Sequence, residues 1–172
     1  AQEYLEAAHP GCVALFWAGC GADQNPLPRR DVELARHYGR HLATAVDSVL
    51  LTQRMSPVAD TLTSSFRTID LPLDRLPTRE QLEAGAKSPD KYPASRAKML
   101  LAEWDAGRPL SPTYPYPVGV WRLGQEIQFV ILGGEVVVDF ALRMKQELAG
   151  PKTWVAGYSN DVMAYIPSRR VL

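Results

Sequence analysis

Apolar runs with the period of strands alternate along the chain with amphipathic stretches that have the period of helices. An apolar run at residues 12–18 predicts a first strand, and the stretch Asp31–Gln53, with apolar residues three or four positions apart, predicts a long helix. Residues 58–71 are rich in Thr, Ser, Phe and Ile, which indicates a second strand. The first part of the chain is therefore expected to run strand, helix, strand.

The remaining pattern predicts two short helices, a hairpin, a further helix and a last strand. In chain order these are a helix from the capping box at Thr78, a helix over Ala94–Asp105 ended by Gly107 and Pro109, hairpin strands at Val118–Leu123 and Glu126–Leu132, a helix over Glu135–Leu148, and a strand at Thr153–Gly157. Three prolines between Ser111 and Pro117 favour a loop or an edge segment there. The order β-α-β-α-α-β-β-α-β predicts an α/β fold with a mixed β-sheet and flanking helices.

Length and charge narrow the classes of function. A chain of 172 residues is expected to form a single domain with a sizeable core. The formal net charge is zero, with 19 basic and 19 acidic residues and no basic cluster larger than a pair such as Arg29-Arg30. We therefore expect no nucleic-acid partner, and the absence of an apolar run of about 20 residues predicts no transmembrane segment.

Polar segments follow three of the predicted strands. The first polar loop is Gly19–Pro26, the glycine turn is Gly133–Glu135, and the second polar loop is Gly157–Tyr165. Ligands and metals tend to bind where the strands of α/β sheets end, so these segments are the candidate site. Each also has a purely structural interpretation, as a turn or as a helix start whose acid is stabilised by the helix dipole.

The order of these segments resembles the neutral, non-lysosomal ceramidase family. In that family a Pro-Gly-Glu sequence supplies a glutamate that binds catalytic zinc, and a Gly-x-x-Asn-x-x-x-x-Tyr segment supplies a tyrosine that also binds it. Gly134-Glu135 matches the first motif, and the second polar loop, from Gly157 through Asn160 to Tyr165, matches the second. The resemblance implies that Glu135 and Tyr165 are zinc ligands and that zinc is the cofactor.

The chemistry of the two side chains agrees with that implication. A carboxylate is a common zinc ligand, and a phenol with an ordinary pKa near 10 can bind as phenolate if the metal lowers that pKa. A zinc ion in such a site polarises a carbonyl group or activates water. The resemblance therefore implies a hydrolase that acts on an amide or ester bond of a small-molecule or lipid substrate, with ceramide or another lipid amide as candidates.

The first polar loop resembles the nucleophile loop of the family, Gly-Asp-Val-Ser-Pro-Asn, but lacks its serine. Gln24 or Asn25 stands at the matching position, and neither amide is a nucleophile, although both donate and accept hydrogen bonds. The catalytic residues expected from the resemblance are Asp23, Gln24, Asn25 and Tyr165, lining one cleft.

The resemblance also places this chain within a larger protein. The two zinc histidines of the family lie well upstream of the nucleophile loop, and His9 is too close to that loop to match either. We interpret the chain as the C-terminal portion of a larger ceramidase-like catalytic domain, inactive and weakly zinc-binding in isolation. The resemblance implies an extracellular or periplasmic protein. The alternatives are a non-catalytic relative that binds a lipid or glycan, and a purely structural domain.

Overall fold

Helices and strands alternate along the chain in the computed structural model, which describes residues 1–52, 55–108, 110–148 and 150–172. In chain order the elements are α1 (Gln2–Ala8), α2 (Val32–Thr52), β1 (Leu62–Pro72), α3 (Arg79–Gly85), α4 (Lys91–Asp105), β2 (Thr113–Leu123), β3 (Ile127–Leu132), β4 (Glu135–Val136), α5 (Val138–Glu147), β5 (Lys152–Ala156) and β6 (Tyr165–Ile166). The predicted end of the first helix, Gln53, and the predicted stop signal Pro109 lie outside the described residues.

The main sheet contains both antiparallel and parallel strand pairs, in the order β1-β2-β3-β5. β2 and β3 are antiparallel, from Val118 opposite Leu132 to Leu123 opposite Ile127, whereas β3 and β5 are parallel. A separate two-stranded sheet pairs β4 with β6 in parallel. The predicted fold class, an α/β fold with a mixed sheet and flanking helices, is confirmed.

The chain divides into two compact units, one formed by Ala1–Arg67 with Pro117–Leu172 and the other by Thr68–Tyr116. The expectation of a single domain stays a prediction. In the second unit, the Thr78 hydroxyl and the Gln81 side chain form the predicted capping box at the start of α3. The Asp90 carboxylate caps α4, which begins earlier than predicted because Pro93 is tolerated in its first turn. Helices α3 and α4 pack against each other through small and aliphatic side chains.

The core of the first unit lies where the strand ends meet α5. Val136 and Val137 are fully buried, and Val130, Val155 and Ala141 are buried beside them, with α5 packed against β5. Burying a Val side chain contributes about 1.5–3 kcal/mol, so this cluster fixes the turn between β3 and α5. The long helix α2 buries only one residue among those described, and no helix in the described ranges is long and apolar enough to cross a membrane.

The strand predicted at residues 12–18 is wrong. The segment has no regular secondary structure, and the nearest ladder contact among the described residues is an isolated antiparallel bridge between Gly19, just after it, and Ala156. Val13, Leu15 and Phe16 are all more than half exposed. Apolar and β-branched residues favour a strand only where a neighbouring edge supplies backbone partners, and this segment meets the edge of β5 at its end alone.

The helix predicted from Glu135 begins three residues later, at Val138. Glu135 and Val136 form β4 instead, because the N–H groups of Glu135 and Val137 bond to carbonyl groups of residues 164 and 166. The apolar run Val136–Val138 fits either element by pattern, and the pairing with β6 decides between them. The helix-dipole interpretation of Glu135 is therefore also wrong, since its carboxylate does not stand in the first turn of α5.

The segment Ser111–Pro117, predicted as a loop or edge, supplies the first residues of β2, an inner strand of the sheet. Its prolines are tolerated because pairing of β2 with β3 begins only at Val118. Proline has no backbone N–H to donate to a neighbouring strand. At these positions no residue of β3 is paired with β2, so no ladder bond to β3 is lost.

Candidate functional site

Glu135 and Tyr165 are neighbours. They are register partners in the parallel ladder of β4 and β6, so their side chains project from the same face of that two-stranded sheet. A side-chain hydrogen bond to Glu135, and then the negative charge of that carboxylate, raise the pKa of the Tyr165 phenol above its ordinary value, with a smaller contribution from burial. The two residues proposed as metal ligands from sequence are thus held side by side, thirty positions apart in the chain.

The glycine turn allows the backbones of the two strands to approach closely. Gly134 has φ +72°, and a Cβ there would lie 2.6 Å from the Ile166 side chain and 2.9 Å from the Ala164 carbonyl oxygen. A Cβ at Gly133 would lie 3.0 Å from the Asp161 carbonyl oxygen. Only glycine fits both the left-handed conformation and this spacing, so the glycine turn is what seats Glu135 against Tyr165.

The second polar loop folds back over the end of β3. The N–H of Tyr158 donates to the Gly134 carbonyl at 2.9 Å, and the N–H of Ser159 donates to the Leu132 carbonyl at 3.1 Å. Tyr158 has φ 55°, an uncommon conformation for a bulky residue. Burial, and then the charge of Glu135, raises the pKa of the Tyr158 phenol. Tyr158 is therefore part of the same cluster, although sequence analysis treated it only as loop.

Asp23 of the first polar loop is anchored to the beginning of α5. Its carboxylate accepts a hydrogen bond from the N–H of Val138 at 2.9 Å and pairs with Arg170 at 3.1 Å. Val137, the residue at the N-cap of α5, offers no capping side chain, so Asp23 supplies the cap from a distant loop. The N–H of Ala22 also bonds to the Val136 carbonyl, which ties this loop to β4.

Gln24 and Asn25 leave their side chains exposed beside this anchor. The N–H of Gln24 donates to the Gly21 carbonyl at 3.0 Å, closing a backbone turn. The loop backbone is thus fixed while both amides stay free to meet a ligand. The structure brings Asp23, Glu135 and Tyr165 into one region of the first unit: Asp23 is tied to Val138 just after β4, and Glu135 of β4 is paired with Tyr165.

Arg170 and Asp139 complete the anchor and were missed by the sequence reasoning. Arg170 binds the Asp139 carboxylate with two nitrogens, at 2.9 Å each, and Ser168 donates a hydrogen bond to the same carboxylate. These bonds to Arg170 and Ser168 lower the pKa of Asp139. The signal available in the sequence was an acid in the first turn of α5, but its basic partner lies about thirty residues away along the chain.

Cys20, the second residue of the first polar loop, is buried. Burial raises the pKa of its thiol to about 11, an effect that Lys145 lessens and Asp23 strengthens. A thiol with such a pKa carries almost no thiolate at neutral pH, so Cys20 does not replace the missing serine as nucleophile. Both cysteines are free thiols.

The donors that could hold a metal here are the Glu135 carboxylate and the Tyr165 phenol. In the part of the chain that the structure describes, no group of three or more His, Cys, Asp or Glu side chains is placed to hold a metal ion. Comparisons with protein-family models, with curated proteins and with solved structures each found no match to this chain.

Proposed function

We propose that this chain contributes the Glu135–Tyr165 pair to the zinc site of a hydrolase that acts on an amide or ester bond. The observation that carries the proposal is the register pairing of the two residues in the β4–β6 ladder, which places their side chains side by side next to the glycine turn. A structural turn does not require a carboxylate and a phenol on paired strands, whereas a metal site requires its ligands to converge.

The chemistry of the pair fits a cation. Among the ion pairs formed by the described residues, none includes Glu135, so its charge is not balanced by Arg or Lys. The Glu135 carboxylate, through a side-chain hydrogen bond and its charge, raises the pKa of the Tyr165 phenol. Glu135 and Tyr165 would be the residues that hold a dication, and its positive charge would lower that pKa because it favours the phenolate.

The pair provides two oxygen ligands, whereas a catalytic zinc has three protein ligands and a water. The proposal therefore requires at least one ligand from outside the described residues, and the family resemblance implies that these are histidines. An isolated two-ligand site binds zinc weakly. The expected behaviour of this chain alone is weak zinc binding and no hydrolysis.

A bound zinc would supply Lewis-acid polarisation of a carbonyl or a water activated at neutral pH. The side chains of this chain do the remaining work. The Asp23 carboxylate accepts a hydrogen bond from the Val138 N–H and pairs with Arg170. It thereby holds the first polar loop in place and acts as a positioning residue. The exposed amides of Gln24 and Asn25 orient the substrate by hydrogen bonding. In this proposal the attacking group is water, since the loop lacks serine and Cys20 stays a thiol.

We propose ceramide or another lipid amide as the substrate class, and an extracellular or periplasmic location, on the resemblance alone. The alternative is a non-catalytic relative that binds a lipid or glycan without hydrolysing it, so turnover separates the two proposals.

The metal proposal is tested by zinc titration of the purified chain against a competing chromophoric chelator. Glu135→Gln and Tyr165→Phe are each expected to weaken zinc binding by about 10-fold or more, since each removes one of two ligands. The matched controls are Glu126→Gln and Tyr92→Phe, exposed residues of the same types elsewhere in the chain, which are expected to leave the affinity unchanged. Equal zinc binding by all four variants would contradict the proposal.

The hydrolase proposal is tested in the longest natural protein that contains this sequence. Release of fatty acid from a short-chain N-acyl sphingosine and from a p-nitrophenyl ester is measured before and after zinc removal. Turnover that is lost with chelation, restored by zinc and abolished in Glu135→Gln supports hydrolysis. Full zinc occupancy without turnover of either probe supports the non-catalytic alternative instead.

A further inference from the structure

A row of aromatic side chains crosses one face of the main sheet. Trp121 of β2, Phe129 of β3 and Trp154 of β5 are register partners, and register partners project from the same face. Trp17, from the unpaired segment before the first polar loop, packs on Phe129 with 5.0 Å between ring centroids. The opposite face, with Val130 and Val155, is buried, so the aromatic face is the open one.

A cleft of about 500 Å³ lies on this open face. Gly119 and Ile131, which are opposite each other in the β2–β3 ladder, form its floor. Because Gly119 has no side chain, the floor sits lower than the flanking tryptophans; a Cβ there would lie 3.4 Å from the Ile131 side chain and 3.8 Å from Phe66. Trp17, Trp121 and Phe66 form the walls.

Neutral polar groups complete the rim. Ser64 comes from β1, and Ser159 and Asn160 come from the second polar loop. Ser64 and Asn160 are exposed, so the hydroxyl and the amide are accessible to a ligand. No charged side chain belongs to the lining formed by the described residues, so an ionic ligand would find no counter-charge there.

We propose that this cleft binds a neutral sugar. A pyranose ring has an apolar C–H face that packs on indole rings and an edge of hydroxyl groups that bonds to serine and asparagine, which is the arrangement of walls and rim found here. Trp17 and Trp121 keep 36% and 48% of their surface exposed, enough to cover a ring on one side. An acyl chain would instead need continuous apolar walls, and the rim of Ser64, Ser159 and Asn160 interrupts them.

The sugar site is separate from the Glu135–Tyr165 pair, so the two proposals fail independently. The test is isothermal titration of the chain with N-acetylglucosamine, chitobiose and maltose, in the presence of a zinc chelator, with tryptophan fluorescence as a second readout. We expect saturable binding of at least one sugar in the millimolar range or tighter, unaffected by the chelator.

The variants locate the site. Trp121→Ala is expected to weaken binding about 10-fold or more, whereas Trp154→Ala, on the same face but outside the cleft, is expected to change it less than about twofold. Gly119→Ala is expected to keep the fold, because the new Cβ lies at ordinary contact distances from its neighbours. The added methyl group raises the floor of the cleft, so sugar affinity is expected to fall about threefold or more. Circular dichroism of each variant establishes that it is folded.

Three results would overturn the proposal. One is no saturable binding of any of the three sugars by the folded wild-type chain up to about 50 mM. Another is equal weakening by Trp121→Ala and Trp154→Ala. The third is saturable binding of N-octanoylethanolamine, a neutral acyl amide, that Gly119→Ala weakens while no sugar competes for it.

Discussion

Glu135 and Tyr165 are register partners in a two-residue parallel ladder, and the Glu135 carboxylate raises the pKa of the Tyr165 phenol. The two residues come from motifs that are separated by all of α5 and β5, and the fold places them side by side. A parallel ladder of two residues is short, so the contact depends on the backbone bonds and the close approach at the glycine turn that support it.

Gly134→Ala is expected to destabilise the chain by about 2 kcal/mol or more, because its Cβ would meet Ile166 at 2.6 Å in a left-handed backbone conformation. The matched control is Gly11→Ala, which has φ +87° but nothing within 4 Å of the added Cβ. The control measures the cost of the backbone conformation alone. Urea unfolding of both variants gives the comparison, and equal losses would show that close approach at Gly134 is unimportant.

Asp23→Ala is expected to lower the free energy of unfolding by about 1–2 kcal/mol, since it removes the cap of α5. Asp23→Asn keeps a capping acceptor and loses only the charge facing Arg170, so its expected cost is less than about 1 kcal/mol. Asp74→Ala, an exposed acid elsewhere, is the control. Chemical denaturation measures the free energy of unfolding of the three variants. An Asp23→Ala variant as stable as the Asp74→Ala control would contradict the capping role.

Because of Asp139, the free energy of unfolding is expected to rise with pH in the acid range. Hydrogen bonds from Arg170 and Ser168 lower its pKa from the ordinary value of 3.8. Between the lowered and the ordinary pKa the unfolded chain binds more protons than the folded one, so this contribution is present above about pH 4 and is lost as the pH falls through the lowered pKa.

Arg170→Gln is expected to flatten that acid dependence, because it returns the Asp139 pKa toward its ordinary value. Arg169→Gln changes the adjacent, exposed arginine and serves as the control. The measurement is the free energy of unfolding as a function of pH. Identical slopes for the two variants would count against the ion pair as the source.

Cys12 and Cys20 are expected to differ sharply in reactivity. Cys12 is exposed, whereas burial raises the pKa of the Cys20 thiol from 9.0 to about 11. A rise of two units lowers the thiolate fraction roughly 100-fold. Brief treatment with iodoacetamide and mass spectrometry should therefore find label at Cys12 in the folded chain and at both cysteines after unfolding. Comparable labelling of both in the folded chain would show that Cys20 is not buried.

The sequence predicted the elements whose information is local. The capping box at Thr78, the hairpin of β2 and β3 and the strand β5 all carry their signal within a few residues, through a cap, a turn or a run of apolar residues. The segment at residues 12–18 has the same apolar signal, but a strand also needs an edge to pair with. That edge is a property of the assembled sheet and cannot be read from the segment.

The candidate site shows the same division. The glycines before the acid predicted a turn, and the motifs selected Glu135 and Tyr165. The close approach of two backbones at Gly134 depends on the pairing of β4 with β6 and was not predictable. The anchoring of Asp23 by Arg170 was not predictable, since the partners are 147 positions apart and each belongs to a segment with no periodic pattern. The aromatic row was also missed, because its members lie on three different strands and meet only through the sheet register.

The central claim is that Glu135 and Tyr165 bind one cation together, and the protonation state of Tyr165 tests it most directly. The measurement is the ¹³C shift of the Tyr165 ring carbon bonded to oxygen, followed by NMR in the wild-type chain and in Glu135→Gln, with and without saturating zinc. Without zinc, Glu135→Gln should lower the Tyr165 pKa, because the negative charge that helps to raise it is removed.

With zinc, the wild-type chain should show a phenolate at neutral pH, and Glu135→Gln should not. A Tyr165 resonance that stays protonated in wild-type chain at saturating zinc, with a pKa unchanged by Glu135→Gln, would contradict the claim.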